Sequence, residues 1–200
     1  VPAPYWVSYA EQVKIAEGVN VVLDTTVEDE FKISPQQLEE AITPKTKALL
    51  LCSPSNPTGS VYSRDELAAL AAVIAKHTNV YVIADEIYEH INFVGGHESI
   101  AQFDEIKDRC VIINGVSKGY AMTGWRIGYM AGPEWLVKAC SKLQGQMTSG
   151  ATSIAMRASL EALTGDQSCV TEMRDAFLRR RDLILGHVNS IEGVKCATPG

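Results

Sequence analysis

Residues 110–128 read CVIINGVSKGYAMTGWRIG: an apolar run from Cys110 to Gly115 stops just before Ser117 and Lys118, and Arg126 follows eight positions after the lysine. A short, β-branched apolar run bounded by glycine is the pattern of a strand covered on both faces, as in a parallel sheet with helices over it. The polar pair then falls where strand gives way to loop.

Two upstream stretches repeat this arrangement. The run ALLL at 48–51 leads into CSPSNPTG at 52–59, and VYVI at 80–83 leads into ADEIYEH at 84–90. Successive strand ends therefore carry Asn56, then Asp85 with Tyr88, then Ser117 with Lys118. In open α/β sheets ligands bind outside the carboxyl ends of the strands, where loops converge, so one pocket can collect all of these side chains.

Helix signals lie between the strands. Ser34, Pro35 and Gln37 read as N-cap, first-turn proline and capping-box glutamine of a helix running to about Ala41. Ser63 with Glu66 repeats the signal ahead of ELAALAAVIAKH at 66–77, whose broad apolar face predicts packing on a sheet. Further helices are predicted at 134–146, 153–163 and 170–189, and further strands at 126–131 and 19–23. The charged stretch LRRRD at 178–182 reads as a solvated helix face. The predicted fold is α/β: a mostly parallel, doubly wound sheet with helices on both faces.

The bulk composition narrows the function classes. A chain of 200 residues, 46% hydrophobic, buries a substantial core. Eighteen Lys and Arg against 24 Asp and Glu give a net charge of −6, with no basic stripe for a polyphosphate, so nucleic acid is not an expected partner. No apolar run approaches the ~20 residues of a membrane span, and the opening VPAPYW lacks a leader-like stretch, so the expected location is cytoplasmic. Five cysteines, at 52, 110, 140, 169 and 196, form no CxxC pair and read as reduced, mainly packing thiols; no metal site is expected. Of the four histidines only His90 falls close to the proposed site.

The residues at the strand ends suit one chemistry. A lysine amine becomes a catalyst when it forms an imine with a carbonyl, and pyridoxal 5'-phosphate supplies an aldehyde for Lys118. The cofactor's ring acts as an electron sink while its nitrogen stays protonated, which a carboxylate beside it ensures; Asp85 is the candidate. Asn56 and Tyr88 offer donors for the phenolic oxygen. Ser117, Arg126 and helix N-terminal amides suit the phosphate, and Trp6 offers a flat face for stacking. Taken singly, each has a plainer reading: a solvated lysine, a turn, a helix cap, a surface ion pair, a core tryptophan. Found together at consecutive strand ends, they favour a shared site. A noncatalytic phosphate-binding module is the rival reading, but it needs neither Lys118 nor Asp85. A Rossmann dinucleotide domain lacks its GxGxxG here.

SNPTG at 55–59, ADEIYEH at 84–90 and NGVSKGYAMTGWRIGY at 114–129 resemble the class I aminotransferases, pyridoxal-phosphate enzymes of fold type I. PYWVSY at 4–9, ITPKTKALLLCSPSNPTG at 42–59 and MTGWRIGY at 122–129 are most similar to the bacterial aspartate aminotransferases of that family. The resemblance implies that Lys118 is the Schiff-base lysine and proton shuttle, Asp85 the partner of the pyridine nitrogen, and Asn56 and Tyr88 the partners of the phenolic oxygen. It further implies that Ser117 and Arg126 bind phosphate and Trp6 stacks on the ring. The implied reaction carries an amino group from an amino acid, aspartate foremost with aromatic, alanine or kynurenine-like donors as alternatives, to a 2-oxo acid in a homodimer. Residues 1–200 correspond to most of the large cofactor domain, with its boundary to a smaller domain near 190–200. Family members also have an upstream phosphate turn, a tyrosine that crosses to the neighbouring subunit, and a downstream arginine for the substrate α-carboxylate. Without these, uncovered apolar surface and poor transamination by this chain alone are expected.

Overall fold

The computed structural model describes residues 1–200 as six strands and six α-helices. The strands are β1 (Pro2–Ala3), β2 (Leu23–Asp24), β3 (Ala48–Cys52), β4 (Tyr81–Asp85), β5 (Cys110–Gly115) and β6 (Gly128–Ala131). The helices are α1 (Ser8–Ile15), α2 (Pro35–Ala41), α3 (Arg64–Lys76), α4 (Glu134–Met147), α5 (Ser153–Thr164) and α6 (Ser168–Asn189). The main sheet runs β3-β4-β5-β6, while β1 and β2 pair with each other in parallel. Within the main sheet β3, β4 and β5 are parallel and β6 is antiparallel to β5. The predicted α/β fold with a mostly parallel sheet is the one observed.

Local hydrogen bonding explains where α2 and α3 begin. The Ser34 hydroxyl accepts from the Gln37 amide while the Gln37 side chain accepts from Ser34 N–H, and Ser63 and Glu66 form the same reciprocal box. Two otherwise unpaired amides are satisfied at each start. At the far end of α3 the Arg109 guanidinium donates to the carbonyls of Ile74, His77 and Val80 at 3.2, 2.8 and 2.8 Å.

The core lies on the α2–α3 side of the sheet. Leu67, Leu70, Ala71 and Ile74 of α3 meet Leu49, Leu51, Val82 and Ala84 of the strands, with Leu38, Ile100 and Ile106 closing the rim. Burying each of the larger side chains contributes about 1.5–3 kcal/mol. The opposite sheet face is less covered: Ile83 is 37% exposed and Ile113 36%. Apolar side chains also lie exposed along the later helices, among them Trp135, Leu143, Ile154 and Leu183.

Two local expectations shift, and one helix is added. The strand predicted at 19–23 is only β2, because its single neighbour is the two-residue β1, and Val19, Val21 and Val22 remain exposed. Helix α1 has no sequence signal at its start, and its N-cap, Val7, makes no side-chain cap bond. Within the 178–182 stretch Arg179 and Arg180 face solvent, but Arg181 turns inward over the Phe93 ring at 4.9 Å and donates to the Pro199 carbonyl at 2.8 Å. No helix is long and apolar enough to cross a membrane.

Candidate active site

Sheet register determines which loops share an edge. Cys52 lies opposite Asp85, and Asp85 opposite Ile113, so the loops after β3, β4 and β5 leave the sheet side by side. Strand β6 runs the other way, and its first residue, Gly128, faces Gly115. Arg126, two positions before β6, therefore reaches the same edge as Lys118, three positions after β5. The close pairing needs glycine: a Cβ on Gly115 would sit 2.7 Å from the Ile127 carbonyl oxygen and 3.0 Å from Gly128 Cα. Asn56, Asp85, Tyr88, Ser117, Lys118 and Arg126 thus belong to one rim.

Asp85 is held by two donors. Its Oδ1 accepts from the Ile87 amide at 3.2 Å, and its Oδ2 accepts from the Tyr9 hydroxyl at 2.5 Å. Tyr9 is 4% exposed, and burial, followed by the nearby Cys52 and Asp85, pushes its pKa well above the usual phenol range. The phenol therefore stays protonated and acts as the donor. Burial, then the Asp85 charge, also pushes the Cys52 thiol up to about 11, in keeping with a packing role. Glu86, next in sequence, turns elsewhere and accepts from Ser99 Oγ at 2.6 Å while meeting His97 Nε2 at 3.0 Å.

Asn56 Nδ2 lies 3.4 Å from the Tyr88 hydroxyl. Its loop is braced from within: Ser55 N–H donates to the Ser60 carbonyl and Gly59 N–H to the Ser55 carbonyl, both at 2.9 Å. Gly59 adopts φ +70°, a conformation that glycine tolerates. Lys118 Nζ sits 5.6 Å from the centroid of the Tyr88 ring, which links the second and third strand ends. No ion pair engages Lys118.

Ser117 and Lys118 are partly buried in a turn, not at the start of an α-helix, so nearby N–H groups for an anion come from the turn itself. Behind that turn Gly119 packs on His90, where an added Cβ would lie 2.6 Å from the ring Cδ2. His90 in turn stands edge-on to Tyr120 at 5.4 Å. The histidine closest to the site is thus a buttress for the lysine turn. Arg126 is exposed, in a left-handed conformation with φ 58° and ψ 46°, and donates one N–H to the Thr123 carbonyl at 2.9 Å. Its remaining donors are available to an anion. Trp6 is 42% exposed and meets Tyr9 edge to face at 5.5 Å, which ties it to the Asp85 side of the rim.

Tyr9 was absent from the sequence-derived residue set. The available signal was its place in PYWVSY, three positions after Trp6 and next to the start of α1, where the two rings fall close together. The assembled groups fit pyridoxal phosphate: an amine outside any ion pair, a carboxylate with lone pairs to spare, an amide and phenol together, an exposed guanidinium and a serine on the same sheet edge, and an exposed indole.

A mostly parallel α/β sheet with its chemically capable side chains gathered at the strand carboxyl ends is the arrangement of a ligand-binding α/β domain. A family model described as aminotransferase class I and II matches residues 1–200, and the chain belongs to that family. An aspartate/prephenate aminotransferase of Nitrosomonas europaea is 50% identical over 198 residues, covering 98% of this chain and 50% of that protein. The aspartate aminotransferase of Geobacillus stearothermophilus is 49% identical over 201 residues, covering 100% of this chain and 51% of that protein. The crystal structure of the Rhizobium meliloti aspartate aminotransferase matches with a TM-score of 0.96 at 44% identity, covering 99% of this chain and 50% of that one. The chain therefore spans about half the length of the curated relatives it matches. Aspartate aminotransferases of the family use pyridoxal 5'-phosphate.

Proposed function

We propose that residues 1–200 are the cofactor-binding domain of an aminotransferase that takes the amino group of aspartate and delivers it to a 2-oxo acid. The observation that carries this reading is the meeting of Lys118, Tyr88 and Asn56 beside Asp85 at one sheet edge. Pyridoxal phosphate, when bound, supplies a carbonyl for an amine and a protonated ring that withdraws electrons.

The chain's own residues have separable tasks. Lys118 provides the amine and then moves the proton at the substrate carbon. Asp85 keeps a proton on the ring nitrogen, while Asn56 and Tyr88 donate toward the ring's phenolic oxygen. Ser117 and Arg126 hold the phosphate, and Trp6 covers one ring face. The named relatives support aspartate as donor, and the Nitrosomonas europaea relative's name pairs it with prephenate, a candidate acceptor. A cytoplasmic homodimer fits this reading.

A half-reaction tests it. The chain loaded with pyridoxal phosphate is mixed with aspartate, and the amine form of the cofactor is measured together with the 2-oxo acid released. Slow, stoichiometric appearance of both supports the reading. Loss of cofactor aldehyde without either product, or equal products from a Lys118→Ala variant, contradicts it.

A further inference from the structure

Tyr9, which has no role among the residues assigned above, donates its hydroxyl to the Asp85 carboxylate at 2.5 Å across 76 positions of sequence. We propose that Tyr9 is a positioning residue: its hydroxyl fixes the orientation of the Asp85 carboxylate toward the cofactor's ring nitrogen, and its ring seats Trp6 beside the same cofactor. This rests on the proposed cofactor site and names a residue that site requires.

The geometry supports a specific division of labour. One carboxylate oxygen is held by the phenol at 2.5 Å and the other by the Ile87 amide at 3.2 Å, so the carboxylate is restrained at both oxygens. Both donors are neutral. A lysine or arginine in the place of Tyr9 would cancel the carboxylate's charge, whereas a phenol orients it and leaves the negative charge to hold a proton on the ring nitrogen. Tyr9 is well suited to remain such a donor, since burial and then the neighbouring Cys52 and Asp85 raise its pKa. The same phenol ring meets Trp6 at an interplanar angle of 89°, so the stacking indole and the carboxylate share one support. Cys52 contributes from the strand side, lying directly across from Asp85 in the sheet.

A positioning role differs from a packing role in what it discriminates. The chain and its Tyr9→Phe variant are titrated with pyridoxal phosphate and with its deaza analogue, in which a C–H replaces the ring nitrogen. The bound fraction is read by absorbance, and circular dichroism checks that the variant is folded. The unaltered chain is expected to prefer the nitrogen-containing ring, and Tyr9→Phe to reduce that preference by about tenfold by weakening only the nitrogen compound. Equal weakening of both compounds, or an unchanged preference, overturns the role of Tyr9. An unaltered chain that binds both rings equally overturns the assignment of Asp85 to the ring nitrogen, and the role of Tyr9 with it. A Tyr9→His variant, which restores a donor, is expected to recover part of the preference; recovery no better than with phenylalanine counts against orientation by a donor.

Discussion

Asn56 and Tyr88 meet beyond the ends of β3 and β4, with the amide Nδ2 of one 3.4 Å from the hydroxyl of the other. The hydrogen bond is long, as expected of two donors better served by a shared acceptor between them. Asn56→Ala and Tyr88→Phe are each predicted to weaken pyridoxal phosphate binding by about three- to tenfold. The double variant is predicted to lose less than the product of the two if, as proposed, both groups serve one oxygen. Absorbance titration of the four proteins checks this, and strictly multiplicative losses would show that the two act on separate atoms.

Gly119 allows the lysine turn to lie against His90. A Gly119→Ala change places a methyl 2.6 Å from the His90 ring, and the ring and its own Cβ give little room to yield. The predicted cost is about 1–3 kcal/mol, felt at the turn carrying Lys118. Cofactor binding is predicted to weaken in Gly119→Ala and to recover partly in the Gly119→Ala, His90→Ala double variant. Failure of the second change to help would place the strain elsewhere.

The parts legible in sequence were those with local causes. Ser34 with Gln37, and Ser63 with Glu66, announced α2 and α3 because a capping box is closed within four residues. The strand ends bearing Asn56, Asp85 and Lys118 were legible because apolar runs broke into polar loops. Strand direction was not: the run before Ala131 gave no sign that β6 is antiparallel, which is what returns Arg126 to the edge holding Lys118. Tyr9 was missed because its partner lies 76 positions away. Ile83 and Ile113 belong to apolar runs that predict cover on both faces, yet each keeps over a third of its surface exposed, since side-chain pattern does not report what lies over a sheet.

Two thiols, the partly buried Cys52 and the buried Cys110, give a pH prediction. Burial raises Cys52 and Cys110 from 9.0 to about 11, so their folded pKa lies above the unfolded value. Their contribution to stability is therefore present below about pH 9 and is lost as pH rises through about 11. The urea midpoint is predicted to fall across that window. At pH 8 alkylation of Cys52 and Cys110 is predicted to be about 100-fold slower than for an unshifted thiol, with the exposed Cys169 and Cys196 reacting first. Uniform labelling of all five cysteines in the folded chain would contradict the burial argument.

Core and cap make separable contributions to stability. Leu70 is 1% exposed between α3 and the sheet, and Leu70→Ala is predicted to cost about 2–5 kcal/mol. Ser63→Ala opens the α3 capping box and is predicted to cost about 1 kcal/mol. Denaturant titration distinguishes them, and a larger loss at Ser63 than at Leu70 would mean that α3 depends more on its first turn than on its packed face.

Lys118 is the residue proposed to join the cofactor. The direct measurement is borohydride reduction of the chain mixed with pyridoxal phosphate, followed by mass-spectrometric mapping of the modified peptide beside a Lys118→Ala control. The expected result is a label confined to Lys118 and absent from the control. Label spread over several lysines, or retained in the control, would contradict it.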